Sequence, residues 1–305
     1  MDEVFHSGER EIQQKVGDNL IANSGAKLIA ETVIKGAINF IEKQPMAIVS
    51  SVNRTGQLWA SLIMGDAGFA KVPQPNVILF DENMIQSTHE DIFYKNIQEN
   101  SAIGSLFIEL ATRKRFRING KASKTGSNIK IKIHEAYPNC PKYIQRRIVS
   151  SPQHVEKSIS TVTQGNELSF AERNWIANAD TFFVASSSNT GRLDVSHRGG
   201  NKGFVTLLDD DTLKIPDYQG NSFYNTLGNI LHNPHVGILF INFEKRQTLQ
   251  LTGKAKLLFD QRSELDIKRT NGKGRYWLFK TEEWIRTENH HQVKWEFLDY
   301  SPFNP

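Results

Sequence analysis

The chain has 305 residues, a length typical of two domains of roughly 150 residues each. Its 37 Lys and Arg residues and 33 Asp and Glu residues leave a net charge of +4, which excludes the concentrated positive surface typical of a nucleic-acid-binding protein. The sequence contains no run of about 18 apolar residues, which a membrane span would need, and the start MDEVFHSGER lacks the pattern of a signal peptide. Cys140 is the single cysteine, which excludes an internal disulfide and a thiolate zinc cluster. We therefore expect a cytoplasmic protein that binds neither nucleic acid nor membrane.

The first predicted element is an amphipathic helix within residues 9–43. Ile12, Val16, Leu20, Ile34 and Ile38 recur at intervals compatible with one apolar face. We expect that face to pack on the β-structure that follows it in the chain.

Short runs rich in β-forming residues follow, separated by turn signals. They are MAIVSSVN, QLWASLIM, GFAKV and NVILFD, then a helix near 88–99, then AIGSLFIEL and RFRINGKA. The order predicts a small β-barrel. The string YPNCPKYIQRRIVS (137–150) is expected to continue after its prolines as a short helix, and residues 151–168 are expected to be a polar linker.

The same order of elements returns in the second half. The strands TFFVASSS and RLDVSHR flank an Asn189-Thr190-Gly191 turn and are followed by GFVTLLD and DTLKIPD. A helix ending at Asn233-Pro234 precedes the strands VGILFINF and TLQLTGKAKLLF.

The two halves also align residue by residue. Residues 47–65 lie over 182–200, and residues 93–122 lie over 226–255 without a gap, with identical Gly and Leu residues in both blocks and identical Asn and Phe residues in the second. Such ordered matches predict a duplication. We expect a mainly β protein of barrels with flanking helices, with an N-terminal helix and the first barrel in residues 1–150 and a second barrel with a C-terminal strand tail in residues 151–305.

The hairpin NTGRLDVSHRGG, the helix TLGNILHNP before VGILF, and the strand LQLTGKA together resemble the pyridoxamine 5′-phosphate oxidase-like, FMN-binding split-barrel family. The string YPNCPKYIQRR resembles a branch in which two such modules are fused. The resemblance implies two tandem split barrels, FMN as cofactor and a homodimer. In related chains a reductase-like domain follows a segment similar to WEFLDYSPFNP. The present sequence stops at that segment, so the resemblance implies that a separate reductase acts as a partner in trans.

The second half carries the residue types that a flavin phosphate needs. Basic and glycine residues after the hairpin can approach an oxyanion closely, and a helix start offers N–H groups to it. The resemblance adds uncharged side chains on a later strand and a contribution from the first barrel at the ring end. The predicted cofactor-binding residues are Ser196, His197, Arg198, Gly199, Lys202, Tyr218, Asn221, Thr226, Asn229, Gln247, Thr248, Gln250, Lys142, Tyr143 and Gln145.

Each group also has a structural interpretation. The basic turn could be a solvated surface, the glutamines ordinary strand residues, the helix-start residues caps, and the proline-rich string a packing element. Arg113, Arg115 and Arg117 alternate on one predicted strand, where either a phosphorylated ligand or a salt-bridged surface would explain them. His290-His291 alone is too weak a pattern to predict a metal site.

The first copy differs where the chemistry would occur. Leu62 and Ile63 stand in place of His197 and Arg198, and the acidic DENMIQ stands in place of the loop 216–221. We therefore expect a degenerate first site and one main FMN site in the second barrel.

The expected function is an FMN-dependent oxidoreductase that passes hydride or electrons between a reduced nicotinamide or small organic donor and an acceptor. True pyridoxamine-phosphate oxidation is disfavoured, because VKWEFLDYSPFNP replaces the expected arginine- and histidine-bearing end. The alternative is a non-enzymatic protein that binds or stores flavin, deazaflavin or haem. No catalytic residue is assigned by the sequence.

Overall fold

A computed structural model of the protein describes residues 4–150 and 159–305. The elements of the first half are α1 (Ser7–Val16), α2 (Asn19–Gly25), α3 (Lys35–Lys43), β1 (Met46–Val52), β2 (Leu58–Met64), β3 (Ala70–Gln74), β4 (Val77–Asp81), α4 (Ile92–Glu99), β5 (Ala102–Glu109), β6 (Lys114–Thr125), β7 (Asn128–Pro138) and β8 (Arg146–Ser150). Those of the second half are β9 (Thr161–Gly165), α5 (Phe170–Asn178), β10 (Thr181–Ser187), β11 (Leu193–Gly199), β12 (Thr206–Leu207), β13 (Thr212–Pro216), α6 (Asn225–His232), β14 (His235–Asn242), β15 (Gln247–Leu258), α7 (Glu264–Arg269), β16 (Tyr276–Glu288) and β17 (Lys294–Asp299).

The two large sheets have the same strand order. The first runs β2-β1-β5-β6-β7-β4-β3 and the second runs β11-β10-β14-β15-β16-β13-β12. At every position the strand of the first sheet is the repeat equivalent of the strand in the second sheet, and all pairings are antiparallel. The predicted fold class is thus confirmed as mainly β with two repeated barrel modules. We refer to them as the first module and the second module.

Each sheet wraps around its own apolar core. In the first module an isolated bridge between Gly65 and Ile85 joins the end of β2 to the segment after β4, which draws the two sides of the sheet together. Phe80 and Phe107 lie in that core. Phe182 and Trp277 lie in the core of the second module. Burial of such large aromatic side chains is the main term that stabilises each barrel.

The modules share a third apolar core, which includes Leu62 and Met64 from the first module and Phe183 and Leu239 from the second. A Cβ on Gly104 would lie 2.9 Å from the Cα of Asp194, and a Cβ on the equivalent Gly237 would lie 2.7 Å from the Cα of Trp59. Glycine at both positions allows each module's strand to cross closely over its partner. The modules therefore face each other like the two subunits of a dimer.

Segments at the module ends differ from the predictions. Residues 9–43 form three separate helices, because Gly17, with φ of 78°, ends α1 in the left-handed conformation. α1 packs on α6 of the second module, whereas α3 packs on β3 and contributes Ala37 and Ile41 to the first barrel's core, as expected.

Two other segments also differ. The expected helix within 137–150 is absent from that range, where prolines remove backbone donors and β8 pairs instead with β17. Residues 151–158 of the expected linker lie outside the described residues, while β9 occupies 161–165. The strand GFVTLLD shortens to β12, a two-residue edge strand.

Candidate functional site

A cavity of about 90 Å³ lies where β6 and the segment after β7 meet β11 and the start of α6. We call it the main cavity. The first module supplies Arg115, Arg117, Asn139, Cys140 and Tyr143, and the second supplies residues of 196–199 and 216–227. Both modules are therefore needed to form its walls.

Two arginines of the main cavity are held by carboxylates. Arg117 is buried, forms an ion pair of 2.9 Å with Asp194, and donates to the hydroxyl of Ser196 at 2.6 Å. Arg198 pairs with Asp217 at 3.2 Å, and Asp217 also accepts from Arg275 at 3.1 Å. These contacts fix the guanidinium groups in place before any ligand arrives.

Arg115 has a different environment. Its Nε donates to the carbonyl oxygen of Cys140 at 2.6 Å, and no carboxylate of residues 4–150 or 159–305 lies within ion-pair distance of it. Burial and the nearby charges of Arg117 and Arg198 lower the pKa of Arg115 to about 9. The main cavity thus contains positive charge that the surrounding protein does not neutralise, and an anion would relieve it.

The N-terminus of α6 opens onto the same cavity. Its N-cap residue, Tyr224, has φ of 62° and makes no side-chain capping bond. Thr226 in the first turn is buried, and its hydroxyl has no hydrogen-bond partner among the described residues. The equivalent helix α4 is capped by the carboxylate of Asp91, which accepts from the N–H of Phe93 at 2.9 Å. An anion can therefore occupy the α6 position, whereas Asp91 already fills the α4 position.

His197 also lines the main cavity. It is buried against Phe183, with ring centroids 5.4 Å apart, and neither ring nitrogen has a hydrogen-bond partner in the described part of the chain. Burial, together with the charges of Arg115 and Arg198, holds the pKa of His197 well below its ordinary value. The imidazole is therefore neutral at pH 7.

The structure brings about half of the predicted site residues together. The main cavity is lined by Ser196, His197, Arg198, Gly199, Tyr218, Asn221, Thr226 and Tyr143. Lys202 and Gln247 instead line a larger groove of about 890 Å³, bordered by Trp175 and Trp295. Asn229 lines a third groove of about 530 Å³ and donates to Ser186 at 2.9 Å.

Gln250 and Thr248 lie on the opposite side of the module interface. Gln250 donates to the hydroxyl of Ser61 at 2.9 Å, which is the counterpart of the bond from Arg117 to Ser196. Each module therefore extends its long central strand toward the other module's site. The strand that completes the main cavity is β6 of the first module. The strand β15 of the second module, which carries Thr248 and Gln250, does not reach it. The repeat alignment already places Arg115 over Thr248 and Arg117 over Gln250, so the signal was present but was assigned to the wrong site.

Lys142 and Gln145 contact the carboxyl-terminal segment. Gln145 is fully buried, and its Oε1 accepts from the N–H of Ser301 at 2.7 Å. The ammonium of Lys142 lies 5.6 Å from the ring centre of Phe303. Neither residue lines the main cavity.

Tyr143 and Tyr218 limit the size of the main cavity. Their ring centres are 5.0 Å apart, and the hydroxyl of Tyr143 donates to the carbonyl of Gln219 at 3.1 Å. Ligand pockets for cofactor-sized molecules usually enclose at least about 300 Å³. The cavity as it stands is large enough for a phosphate-sized group but smaller than a planar ring system the size of a flavin needs.

The equivalent site of the first module is filled by protein. Leu62 and Ile63 belong to apolar cores there. His290 is fully buried 3.5 Å from the Asp91 carboxylate. Within the described ranges no cluster of three or more His, Cys, Asp or Glu side chains could hold a metal, and no helix is long and apolar enough to cross a membrane.

Comparison with known proteins points to one family for the second module. Residues 170–289, from the start of α5 to just beyond β16, match the family model described as pyridoxamine 5′-phosphate oxidase. The second module resembles that family. A comparison with curated proteins finds no match.

Several solved structures are similar to part of the chain. One is a putative pyridoxamine 5′-phosphate oxidase from Lactobacillus delbrueckii, with 16% identity and a TM-score of 0.32, over 39% of this chain and 94% of that one. Another is HupZ from Group A Streptococcus, with 16% identity and a TM-score of 0.30, over 38% and 90%. A third is HutZ, titled a heme storage protein, from Vibrio cholerae, with 18% identity and a TM-score of 0.26, over 36% and 85%.

Proposed function

We propose that the protein binds FMN in the main cavity and acts as an oxidoreductase other than a pyridoxamine-phosphate oxidase. The observation that carries the proposal is the uncapped N-terminus of α6 facing Arg115 and Arg198. A phosphate dianion would receive N–H groups and the Thr226 hydroxyl from the helix and charge from the two guanidinium groups. The family match of residues 170–289 supports a flavin as the molecule that carries this phosphate.

The residues of the main cavity fit the phosphate end of the cofactor. The hydroxyl of Thr226 and the Nε of Arg198 have no hydrogen-bond partner within residues 4–150 and 159–305, so both are donors available to a phosphate. The ring end would lie at Tyr143 and Tyr218, whose separation would open an aromatic slot. FMN supplies the hydride or electron transfer when it is bound.

The chain's own residues then have binding and orienting roles. Arg117 and Asp194 hold β6 and β11 together beside the cavity, so that Arg115 and Arg198 would contact the same anion. The neutral His197 offers a hydrogen-bonding imidazole without adding charge. The proposal also includes a small-molecule electron donor and acceptor, a reductase partner in trans, and assembly of the chain as a homodimer.

The first test is the identity of the bound small molecule. Purified protein should show the absorbance of oxidised flavin, or should gain it after incubation with FMN, and the molecule released on denaturation should have the mass of FMN. Bleaching by NADH or NADPH should distinguish an enzyme from a carrier. A protein that stays colourless after reconstitution contradicts the proposal.

Replacement of Arg115 tests the site itself. Arg115→Gln removes a charged donor, so FMN affinity should fall by about 2 kcal/mol, roughly 30-fold. The control is Arg54→Gln, because the Arg54 side chain is 80% exposed and does not line the cavity. Equal affinities of the two variants in a fluorescence titration would place the phosphate elsewhere.

The second candidate function is non-enzymatic binding or storage of haem at the same cavity. His197 favours it, because its imidazole is buried and neutral, its ring nitrogens have no hydrogen-bond partner among the described residues, and it could hold the haem iron. Added haemin should then give a Soret band that His197→Ala abolishes, whereas FMN binding alone would leave haemin unbound.

Deazaflavin is the other alternative ligand. Its binding would show as retention of deazaflavin by the protein in place of FMN.

A further inference from the structure

The loop that leads into α6 is strained. It connects β13 to α6, and both Ser222 and Tyr224 have positive φ, at 63° and 62°. Left-handed backbone at non-glycine residues persists only when neighbouring contacts hold it, since each such residue costs roughly 1–3 kcal/mol. We call residues 219–224 the α6 loop.

The contacts that hold the α6 loop come from the amino-terminal helices. Oδ2 of Asp18, at the start of α2, accepts from the Gln219 amide at 2.9 Å, from the Ser222 hydroxyl at 2.8 Å and from the Tyr224 hydroxyl at 2.5 Å. Gln13 of α1 donates to the carbonyl of Phe223 at 3.2 Å. These bonds join residues about 200 positions apart in the sequence.

We propose that Asp18 is a positioning residue that holds the α6 loop in its strained conformation and thereby keeps the α6 N-terminus aimed at the main cavity. This inference rests on the proposed function, because the group positioned is the phosphate end of FMN. Asp18 does not line the cavity and acts only through Gln219, Ser222 and Tyr224.

The ionisation of Asp18 is consistent with this role. Partial burial raises its pKa, but the hydrogen bonds from Tyr224, Gln219 and Ser222 outweigh burial, and the net shift is downward. Arg275 also faces Asp18 and lowers the pKa further. The carboxylate therefore stays ionised, and accepts all three bonds, throughout the neutral range.

The first module holds its equivalent loop in another way. There Asp81 caps the local turn by accepting from the N–H of Asn83 at 3.1 Å, and Asp66 accepts from Gln86 at 2.7 Å. Both contacts lie within the first module. Asp81→Asn is thus a matched control, because it makes the same change of charge and removes a carboxylate that caps the turn after β4, at the site that is not proposed to bind FMN.

The experiment compares FMN with riboflavin, which lacks the phosphate. Asp18→Asn should lower the affinity of the full chain for FMN about 10-fold and leave that for riboflavin unchanged, and Gln219→Ala should have a smaller effect in the same direction. Asp81→Asn should change neither. Equal losses for FMN and riboflavin would show a general structural role and overturn the inference, as would an unchanged FMN affinity.

Amide hydrogen exchange without ligand separates this inference from the proposed function. Exchange at residues 219–228 should be faster in Asp18→Asn than in the wild type and unaffected in Asp81→Asn. Failure of the wild type to bind FMN overturns the proposed function. Unchanged exchange at residues 219–228 in Asp18→Asn overturns the positioning role by itself.

Discussion

Individual side chains distinguish the two halves of this duplicated chain. Arg198 replaces the apolar Ile63, and Tyr224 replaces Asp91 at the start of the equivalent helix. The first change adds a cation, and the second removes an internal anion from a helix N-terminus. Both changes raise the positive potential of the main cavity. The backbone at the helix start also differs, since Tyr224 has φ of 62° and Asp91 has φ of −61°.

Glu9 is a buried carboxyl group close to the same region. It accepts from the side-chain amide of Asn225 and from the N–H of His6. Burial, with a further contribution from Glu135 and Asp194, raises the pKa of Glu9 from 4.5 to about 8. The folded protein therefore binds this proton more tightly than the unfolded chain does.

The pH dependence of stability should reflect this proton. The contribution is fully present below pH 4.5, and it is lost as the pH rises toward 8, so the free energy of unfolding should fall over that window. Glu9→Gln should remove a decrease on the order of 3 kcal/mol. Urea unfolding at pH 5 and pH 8 measures it. The control is Glu11→Gln, on the same helix but 63% exposed, which should keep the wild-type pH dependence of stability. If Glu9→Gln also kept that dependence, Glu9 would be ionised throughout this pH range and the prediction would be wrong.

At the scale of elements, α1 crosses α6 at a pair of glycines. A Cβ on Gly8 would lie 2.2 Å from the carbonyl oxygen of Gly228, and a Cβ on Gly228 would lie 2.5 Å from the backbone nitrogen of Glu9. These distances leave no room for a methyl group. α1 can therefore pack this closely on α6 only while both positions are glycine.

Gly228→Ala should push α1 away from α6. We expect a loss of about 2 kcal/mol in the free energy of unfolding, typical of an overpacked contact. Gly36→Ala is the matched control, because Gly36 lies in α3 where an added methyl group would meet no neighbouring atom within 4 Å, and alanine should be neutral or stabilising there by up to about 1 kcal/mol. Denaturant unfolding of both variants tests this, and equal stabilities would show that the crossing can relax.

At the scale of the whole molecule, the two modules form a dimer-like pair with one open site and one filled site. His290 and Asp91 occupy the position that is equivalent to the main cavity. Because each site needs a strand from the other module, neither barrel alone contains all the residues of the main cavity.

The stoichiometry of binding follows from this asymmetry. Each chain should bind one FMN molecule, because the Asp91 carboxylate repels a phosphate at the first site. The ratio of released flavin to protein, measured by absorbance after denaturation, should be close to one. A ratio near two would mean that His290 and Asp91 can be displaced.

The sequence by itself determined most strands of the two sheets, the duplication, the helices α4 and α6 and the difference between Arg198 and Ile63, because alternating apolar residues, turn signals and residue identity are local properties. The strand β7 and the helix α5 were not predicted. The sequence also indicated that the main site lies toward the second barrel. It did not determine how residues 9–43 divide into helices or that residues 146–150 form a strand, since β8 exists only by pairing with β17.

Only the tertiary structure decided which residues meet. Gln250 and Arg117 occupy equivalent strands, yet they serve opposite sites, because the modules face each other and each extends its strand across the interface. Asp18 reaches the α6 loop for the same reason: α1, which precedes Asp18, packs on the module that comes second in the chain. Contacts between residues this far apart depend on the packing of the two barrels, which no local pattern encodes.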